Sequence, residues 1–151
     1  MSRLRPARAV ELPHLSDLCF RSKAVWGYDA AFMEACREEL TLTDQDLNET
    51  RVQVAEDKDG VIGVVQVVID DGIAELEKLF IEPNRMHTGA GRRLFDWAIE
   101  AAQASGAKQL MIDTDPDAAD FYRRMGARDA GTSASVSIPN RQLPRLKLDL
   151  T

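Results

Sequence analysis

Apolar and polar residues alternate through the middle of the chain in a pattern that predicts three consecutive strands. Two short polar turns that contain glycine, at residues 58–60 and 70–72, separate three apolar runs. Alternation with a period of two residues, interrupted by turns of this length, is typical of an antiparallel meander. The sequence therefore predicts strands at residues 52–55, 61–69 and 73–82.

Apolar residues recur at helical spacing in two segments before the meander and in two segments after it. Asp29 and Asp115 are suitable N-cap residues for the second and fourth segments, and Gly106 and Gly126 are suitable stops for the third and fourth. Spacing of this kind indicates helices that each bury one face. The predicted helices cover residues 13–23, 30–40, 92–105 and 116–125.

Four more stretches read as strands, at residues 3–9, 109–113, 128–136 and 143–150. A helix connects the strand at 73–82 to the strand at 109–113, so these two strands must run parallel. The whole pattern predicts one α/β domain over residues 1–151. Its sheet is mixed and mostly antiparallel, with about six to seven strands and with helices on both faces.

Composition narrows the classes of function. The chain has 25 acidic and 19 basic residues and a net charge of −6, which disfavours nucleic acid and suits a cationic partner. No apolar run resembles a signal peptide or a membrane span, so we expect a cytoplasmic protein that does not contact membranes. Cys19 and Cys36 lie in apolar helical segments without metal-ligand spacing, and we expect both to be core residues and no metal to be bound.

The stretch from strand 73–82 into the third helix has the features of a phosphate-binding loop. It passes through Pro83 and a short polar turn, and Gly89 and Gly91 stand where the helix begins. Backbone N–H groups at a helix N-terminus lack intrahelical partners and carry the positive end of the helix dipole. Glycine allows an anion to approach them, although the same Gly-x-Gly also serves in ordinary tight turns.

Two other phosphate loops are excluded by the residues that follow. A nucleotide-hydrolase loop requires lysine and a hydroxyl residue after its last glycine, whereas Gly91 is followed by Arg92 and Arg93. A dinucleotide-binding loop requires a third glycine, and Leu94 occupies that position.

Residues 86–91, Met-His-Thr-Gly-Ala-Gly, resemble the acyl-CoA pyrophosphate loop of the GNAT superfamily of N-acetyltransferases, whose pattern is Gln/Arg-x-x-Gly-x-Gly/Ala. Met86 replaces the usual Arg or Gln, and His87 stands where glycine is common. A second stretch, residues 115–126, is similar to the family's Asn-x-x-Ala-x-x-x-Tyr-x-x-x-Gly helix, with Asp115 in place of Asn. The two motifs make the resemblance specific over roughly residues 50–130.

The resemblance implies a GNAT-like fold, acetyl-CoA as the cofactor, and a gap between two splayed strands that the pantetheine arm fills. It places the acetyl oxygen at the backbone N–H of Leu79. The cofactor-binding residues that it implies are Leu79, Phe80, Ile81, Met86, His87, Thr88, Gly89, Ala90, Gly91, Arg92, Asp115 and Tyr122.

Acetyl transfer to an amine requires a base for the amine and an acid for the departing thiolate. Strict alternation would place Glu75, Glu77, Leu79 and Ile81 on one strand face, and the resemblance makes either glutamate a candidate base. The alternative for each glutamate is a solvated ion pair. Tyr122 matches the family's general acid, and its alternative is a core tyrosine.

Trp26 and Tyr28 lie on the connector between the first two helices, which covers the acceptor site in the family that the chain resembles. We therefore predict that both bind substrate. The alternative is that both pack at the edge of the domain and have only a structural role. The predicted activity is N-acetylation of a primary amine, carried by a small molecule or a peptide, by direct attack in a ternary complex. A catalytically degenerate acyl-CoA-binding module is the alternative, and a homodimer is compatible with either.

Overall fold

Helices and strands follow one another in an order close to the predicted one. The computed structural model describes residues 2–150. The elements are β1 (Arg3–Pro6), α1 (Leu12–Ala24), α2 (Ala30–Leu40), α3 (Asp44–Glu49), β2 (Arg51–Asp57), β3 (Gly60–Asp70), β4 (Ile73–Ile81), α4 (Ala90–Ala104), β5 (Gln109–Asp113), α5 (Ala119–Arg124), β6 (Arg128–Ala134) and β7 (Gln142–Asp149). Short 3₁₀ turns precede α1, α4 and α5, at Ala9–Glu11, Pro83–Arg85 and Pro116–Ala118.

The seven strands form one sheet in the order β1-β2-β3-β4-β5-β7-β6. All neighbouring strands pair antiparallel except β4 and β5, which run parallel because α4 connects them on one face of the sheet. The predicted fold class, a mixed and mostly antiparallel sheet with helices on both faces, is confirmed. Within residues 2–150, no helix has the length and apolar character needed to cross a membrane.

Strands β4 and β5 separate after a short paired region. They pair only over Ile73–Leu76 and Gln109–Ile112, while β4 continues to Ile81 alongside β3 alone. The Glu82 N–H donates to Ile62 of β3, and the preceding N–H, on Ile81, points the other way, to the side of the gap, where it donates to the Ser22 hydroxyl at 3.3 Å. Because successive N–H groups of a strand point to opposite edges, the Leu79 N–H also faces this gap.

Apolar side chains pack against both faces of the sheet. On one face, α4 and α5 bury a cluster centred on the fully buried Leu94 and Phe95. On the other face, α1 and α2 bury a second cluster with Leu15, Leu18 and both cysteines. The core positions predicted for Cys19 and Cys36 are confirmed, and burial raises the pKa of the Cys19 thiol to about 12.

A β-bulge at Glu77 makes the predicted side-chain alternation of β4 wrong. Gln66 of β3 pairs with Lys78 and Val67 pairs with Leu76, so Glu77 has no directly opposite residue. A bulge inserts one extra residue and reverses the facing of everything beyond it. Accordingly, Leu76 and Leu79 both pack into the cluster beneath α4. Glu75 and Leu79 therefore do not share a face.

Helix α3 is an element that the hydrophobic pattern did not predict. Its six residues bury no side chain, so they carry no apolar periodicity. Thr43 and Asp46 form a reciprocal capping box, in which the Thr43 hydroxyl accepts from the Asp46 N–H and the Asp46 carboxylate accepts from the Thr43 N–H. The helix is thus fixed by its cap rather than by a buried face.

Candidate functional site

The glycine loop leads into α4 with its first backbone N–H groups uncapped. Gly89 is the N-cap residue and has a φ of +89°, a left-handed conformation that favours glycine. No side chain caps the helix, so the N–H groups of its first turn are available to an anion. His87 also adopts positive φ, +66°, which gives a physical reason for glycine being common at that position.

A cavity of about 510 Å³, which we call the loop cavity, lies beside this helix start. Its lining includes Leu79, Ile81, Met86, His87, Gly89, Gly91, Arg92 and Tyr122, which are eight of the twelve predicted cofactor-binding residues. Arg85 and Arg124 also line the cavity. Arg85 is already paired with Asp57 and Asp59. The other two guanidinium groups and the helix N-terminus together make this cavity suited to a polyanionic ligand.

A second cavity, of about 410 Å³, opens at the end of the paired part of β4 and β5. We call it the acidic cavity because five carboxylates line it, those of Glu39, Glu75, Glu77, Asp113 and Asp115. Lys23, Lys78 and Arg145 line it as well. Apolar side chains from α2, β4, β6, β7 and the β6–β7 loop also line it.

The loop cavity and the acidic cavity meet at three residues. Leu79, Ala118 and Tyr122 line both of them. A ligand in one cavity can therefore reach a ligand in the other across the Leu79 N–H and the Tyr122 ring. This junction is the point where a group could pass between two bound molecules.

Tyr122 is held at the junction by aromatic packing. It is only 7% exposed, and its ring makes edge contacts with Phe95 and Phe121 at centroid distances of 5.3 and 5.1 Å. Its hydroxyl makes no hydrogen bond to any residue within 2–150. Burial, with a smaller contribution from Asp115, raises the phenol pKa. The hydroxyl is therefore protonated at neutral pH and free to donate.

The two candidate glutamates differ in their surroundings. Glu75 accepts a hydrogen bond from Arg145 at 2.8 Å, and the same guanidinium binds Asp113 at 2.7 Å, so the ion-pair alternative holds for Glu75. Glu77 makes no ion pair within the described part of the chain. Loss of hydration raises the pKa of the Glu77 carboxyl, and the neighbouring carboxylates of Glu75, Asp113 and Glu39 raise it further against the effect of Lys78.

Asp115 does not cap the following helix with its side chain, contrary to prediction. Its carboxylate instead accepts from Lys23 at 2.9 Å, from the Tyr28 hydroxyl at 3.2 Å and from Arg141 at 3.3 Å. Arg141 also donates to the Tyr28 hydroxyl at 2.7 Å. The strongly favourable pairing of a carboxylate with two cations outcompetes a local cap, which would use one backbone N–H.

The remaining predicted site residues differ in which of the two cavities they line. Phe80 and Asp115 line the acidic cavity and not the loop cavity, while Thr88 and Ala90 line neither. Trp26 lines the loop cavity, whereas Tyr28 stacks on Phe32 with ring centroids 4.0 Å apart. The ligand contacts predicted for all these residues stay predictions.

Among the charged residues around the acidic cavity that were not identified from the sequence, five lie on elements other than β4. Lys23, Glu39, Asp113 and Arg145 line the cavity. Arg141 does not line it but binds the carboxylate of Asp115, which does. The five residues come from α1, α2, β5, β7 and the β6–β7 loop, and no short motif links such distant positions. Among residues 2–150, no three His, Cys, Asp or Glu side chains are grouped so as to hold a metal ion.

Residues 48–126 match the family model of the acetyltransferase (GNAT) domain, which is a little over half of the chain. The match includes β4, the glycine loop and α5. No curated protein sequence matches the chain.

Several solved structures share the fold at low sequence identity. The PaiA N-acetyltransferase of Thermoplasma acidophilum, solved with coenzyme A, is 17% identical with a TM-score of 0.81, over 99% of both chains. An aminoglycoside 6'-N-acetyltransferase, also solved with coenzyme A, is 17% identical with a TM-score of 0.75, over 99% of this chain and 97% of that one. The ribosomal-protein-S18-alanine N-acetyltransferase of Escherichia coli is 13% identical with a TM-score of 0.75, over 100% and 95%.

Proposed function

This chain belongs to the GNAT family of acetyltransferases, and we propose that it transfers the acetyl group of acetyl-CoA to a primary amine by direct attack in a ternary complex. The observation that carries the proposal is the junction, where the same three residues, Leu79, Ala118 and Tyr122, line both the loop cavity and the acidic cavity. Two substrates bound in these cavities would meet there, so no covalent enzyme intermediate is needed.

The loop cavity fits the cofactor. The uncapped start of α4 would hold the pyrophosphate through backbone N–H groups, assisted by Arg92 and Arg124, neither of which makes an ion pair within residues 2–150. The unpaired edge of β4 would hold the pantetheine arm through backbone groups in the gap. Acetyl-CoA supplies an activated thioester, and the protein supplies position and proton transfer.

Tyr122 at the junction and Glu77 in the acidic cavity would account for each proton. In the proposed reaction the amine nitrogen forms a bond to the acetyl carbon, and the carbon–sulfur bond breaks. Glu77 removes a proton from the amine, directly or through water, and Tyr122 donates one to the departing sulfur. The Leu79 N–H, which faces the gap, stabilises negative charge on the acetyl oxygen.

Acetyl-CoA is expected to raise the melting temperature of the protein. A ligand that binds only the native state adds about 2.7 kcal/mol at one hundred times its dissociation constant. For a chain of this size that corresponds to a rise of roughly 5–10 °C. A thermal melt with acetyl-CoA, and with ATP as a control polyphosphate, measures the effect. A rise with ATP alone would contradict the cofactor assignment, and a rise with acetyl-CoA without turnover of any amine would favour the degenerate binding module.

Replacing Gly91 by Val is expected to weaken acetyl-CoA binding by at least about tenfold, because side-chain carbons would fill the space beside the helix N–H groups. A Cβ atom at Gly91 would lie 3.6 Å from Ile81 and 3.7 Å from Phe121, which is ordinary contact. The fold therefore accommodates a Cβ atom, so Gly91→Ala serves as the matched control that keeps binding, and a thermal melt of Gly91→Val checks that the valine variant folds. Calorimetry that shows equal affinity for the valine variant would place the pyrophosphate elsewhere.

Gly89 is a poorer position for this test. Its φ of +89° is strained for any other residue, and most of all for one that is β-branched, so Gly89→Val would disturb the fold as well as the ligand.

A further inference from the structure

We propose that the acceptor is a dicationic alkyl amine, whose reacting end lies at Glu77 and whose second ammonium group is bound by Glu39. This inference rests on the proposed function and assigns a substrate class to the acidic cavity. It follows from which charges in the cavity are already satisfied by the protein and which are left for a ligand.

Every cation that lines the acidic cavity has a partner in the protein. The pairs are Lys23 with Asp115 at 2.9 Å, Arg145 with Glu75 and Asp113 at 2.8 and 2.7 Å, and Lys78 with the Gln66 side-chain oxygen at 2.9 Å. Gln66 is neutral, so the charge of Lys78 is not balanced by its partner. Five carboxylates nevertheless line the cavity against three cations, so the net charge of the lining is negative and disfavours an anionic group on the acceptor.

Two carboxylates of the cavity make no ion pair within residues 2–150. Glu77 has no hydrogen-bond partner within residues 2–150, and the single contact of Glu39 there is with the Ser137 hydroxyl at 2.9 Å. A neutral hydroxyl donor does not balance a carboxylate charge. Both groups are consequently available to ammonium ions, each of which gains a charge-assisted hydrogen bond.

Glu39 and Glu77 face the same space from opposite elements. Glu39 lies near the end of α2 and Glu77 lies on β4, and both line the acidic cavity. They are near enough that the charge of Glu39 contributes to raising the Glu77 pKa. Only Glu77 lies on the strand that carries Leu79 and the junction. Glu77 therefore contacts the reacting amine, and Glu39 binds a group of the acceptor that lies farther from the junction.

The apolar part of the acidic cavity's lining suits an alkyl stem. Leu40, Ala134, Val136 and Leu143 all line the acidic cavity. Val136 is 87% exposed, so a bound methylene chain would cover apolar surface that is otherwise in contact with water. Two cationic ends joined by an apolar chain thus match the two carboxylates and the apolar lining of the same cavity.

The inference is tested with three acceptors that each contain a straight chain of five carbon atoms: 1,5-diaminopentane, pentylamine and 5-aminovalerate. We expect kcat/KM with acetyl-CoA to be highest for the diamine, about three- to fivefold lower for pentylamine and lowest for aminovalerate, because Glu39 is exposed and an exposed charge pair is worth up to roughly fivefold. Glu39→Gln should lower kcat/KM for the diamine about three- to fivefold and change the pentylamine value less than twofold.

Glu38→Gln is the matched control, because Glu38 neighbours Glu39 on α2, is exposed and lines none of the cavities described here. It should leave all three acceptors unchanged. The inference would be overturned if kcat/KM for pentylamine or aminovalerate equalled that for the diamine, or if Glu39→Gln lowered kcat/KM equally for all three acceptors. Either result would leave the proposed amine acetylation unaffected. Failure to acetylate any amine would overturn the proposed function, and the inference with it.

Discussion

Tyr122→Phe is expected to lower kcat by about 100-fold or more while leaving the affinity for acetyl-CoA nearly unchanged. The phenylalanine ring keeps the edge contacts with Phe95 and Phe121, and the lost hydroxyl has no protein partner to leave unsatisfied within residues 2–150. Only proton donation to the departing sulfur is removed. Single-turnover kinetics and calorimetry with the wild-type protein alongside measure the two quantities separately.

The pH dependence gives a second readout for the same variant. Burial raises the Tyr122 pKa, so the phenol stays protonated into the alkaline range and activity should fall only above the ordinary tyrosine pKa. That alkaline limb should be absent from Tyr122→Phe. A variant with unchanged melting temperature and full kcat would show that water or the substrate protonates the thiolate.

Glu77→Gln is expected to lower kcat/KM at least about tenfold on the acid side of neutrality. The base must be ionised, and its raised pKa moves the acidic limb of the wild-type profile towards neutral pH. The loss in the variant should shrink towards pH 10, because an alkyl amine with an ordinary pKa near 10.4 then deprotonates without help. Profiles of kcat/KM against pH for both proteins measure the difference.

Glu75→Gln is the informative comparison for Glu77→Gln. Arg145 would keep Asp113 as a partner at 2.7 Å, so the sheet and the cavity should persist. Because the Glu75 charge helps to raise the Glu77 pKa, its removal should move the acidic limb to lower pH with little change in the plateau. A larger loss in Glu75→Gln than in Glu77→Gln would reverse the assignment of the base.

The elements with strong periodicity or strong caps were predictable from the sequence. The strand Gln109–Asp113 lies where the apolar run placed it, and the Asp29 carboxylate accepts from the Phe32 N–H as an N-cap should. Loop geometry was also predictable, since Gly89 needs positive φ at the start of a helix whose N–H groups are free. These features depend on neighbours within a few residues.

The features that could not be predicted depend on partners far along the chain. The bulge at Glu77 arises from pairing with β3, and the turn of Asp115 away from its own helix arises from Lys23 and Arg141. Local alternation and local capping are the competing rules, and they are overridden by a long-range register and by one buried and one half-buried cation. Charge pairing across such separations leaves no trace in a short motif.

The division of the site into two cavities has a consequence for how such a protein can diversify. The glycine loop and the helix that carries Tyr122 lie inside the stretch matched to the family, residues 48–126. Much of the acidic cavity, including Glu39, Val136 and Arg145, lies outside it. On the proposed function, mutations there would exchange one amine for another and leave the donor machinery intact, so new acceptors would be reachable by small steps through active intermediates.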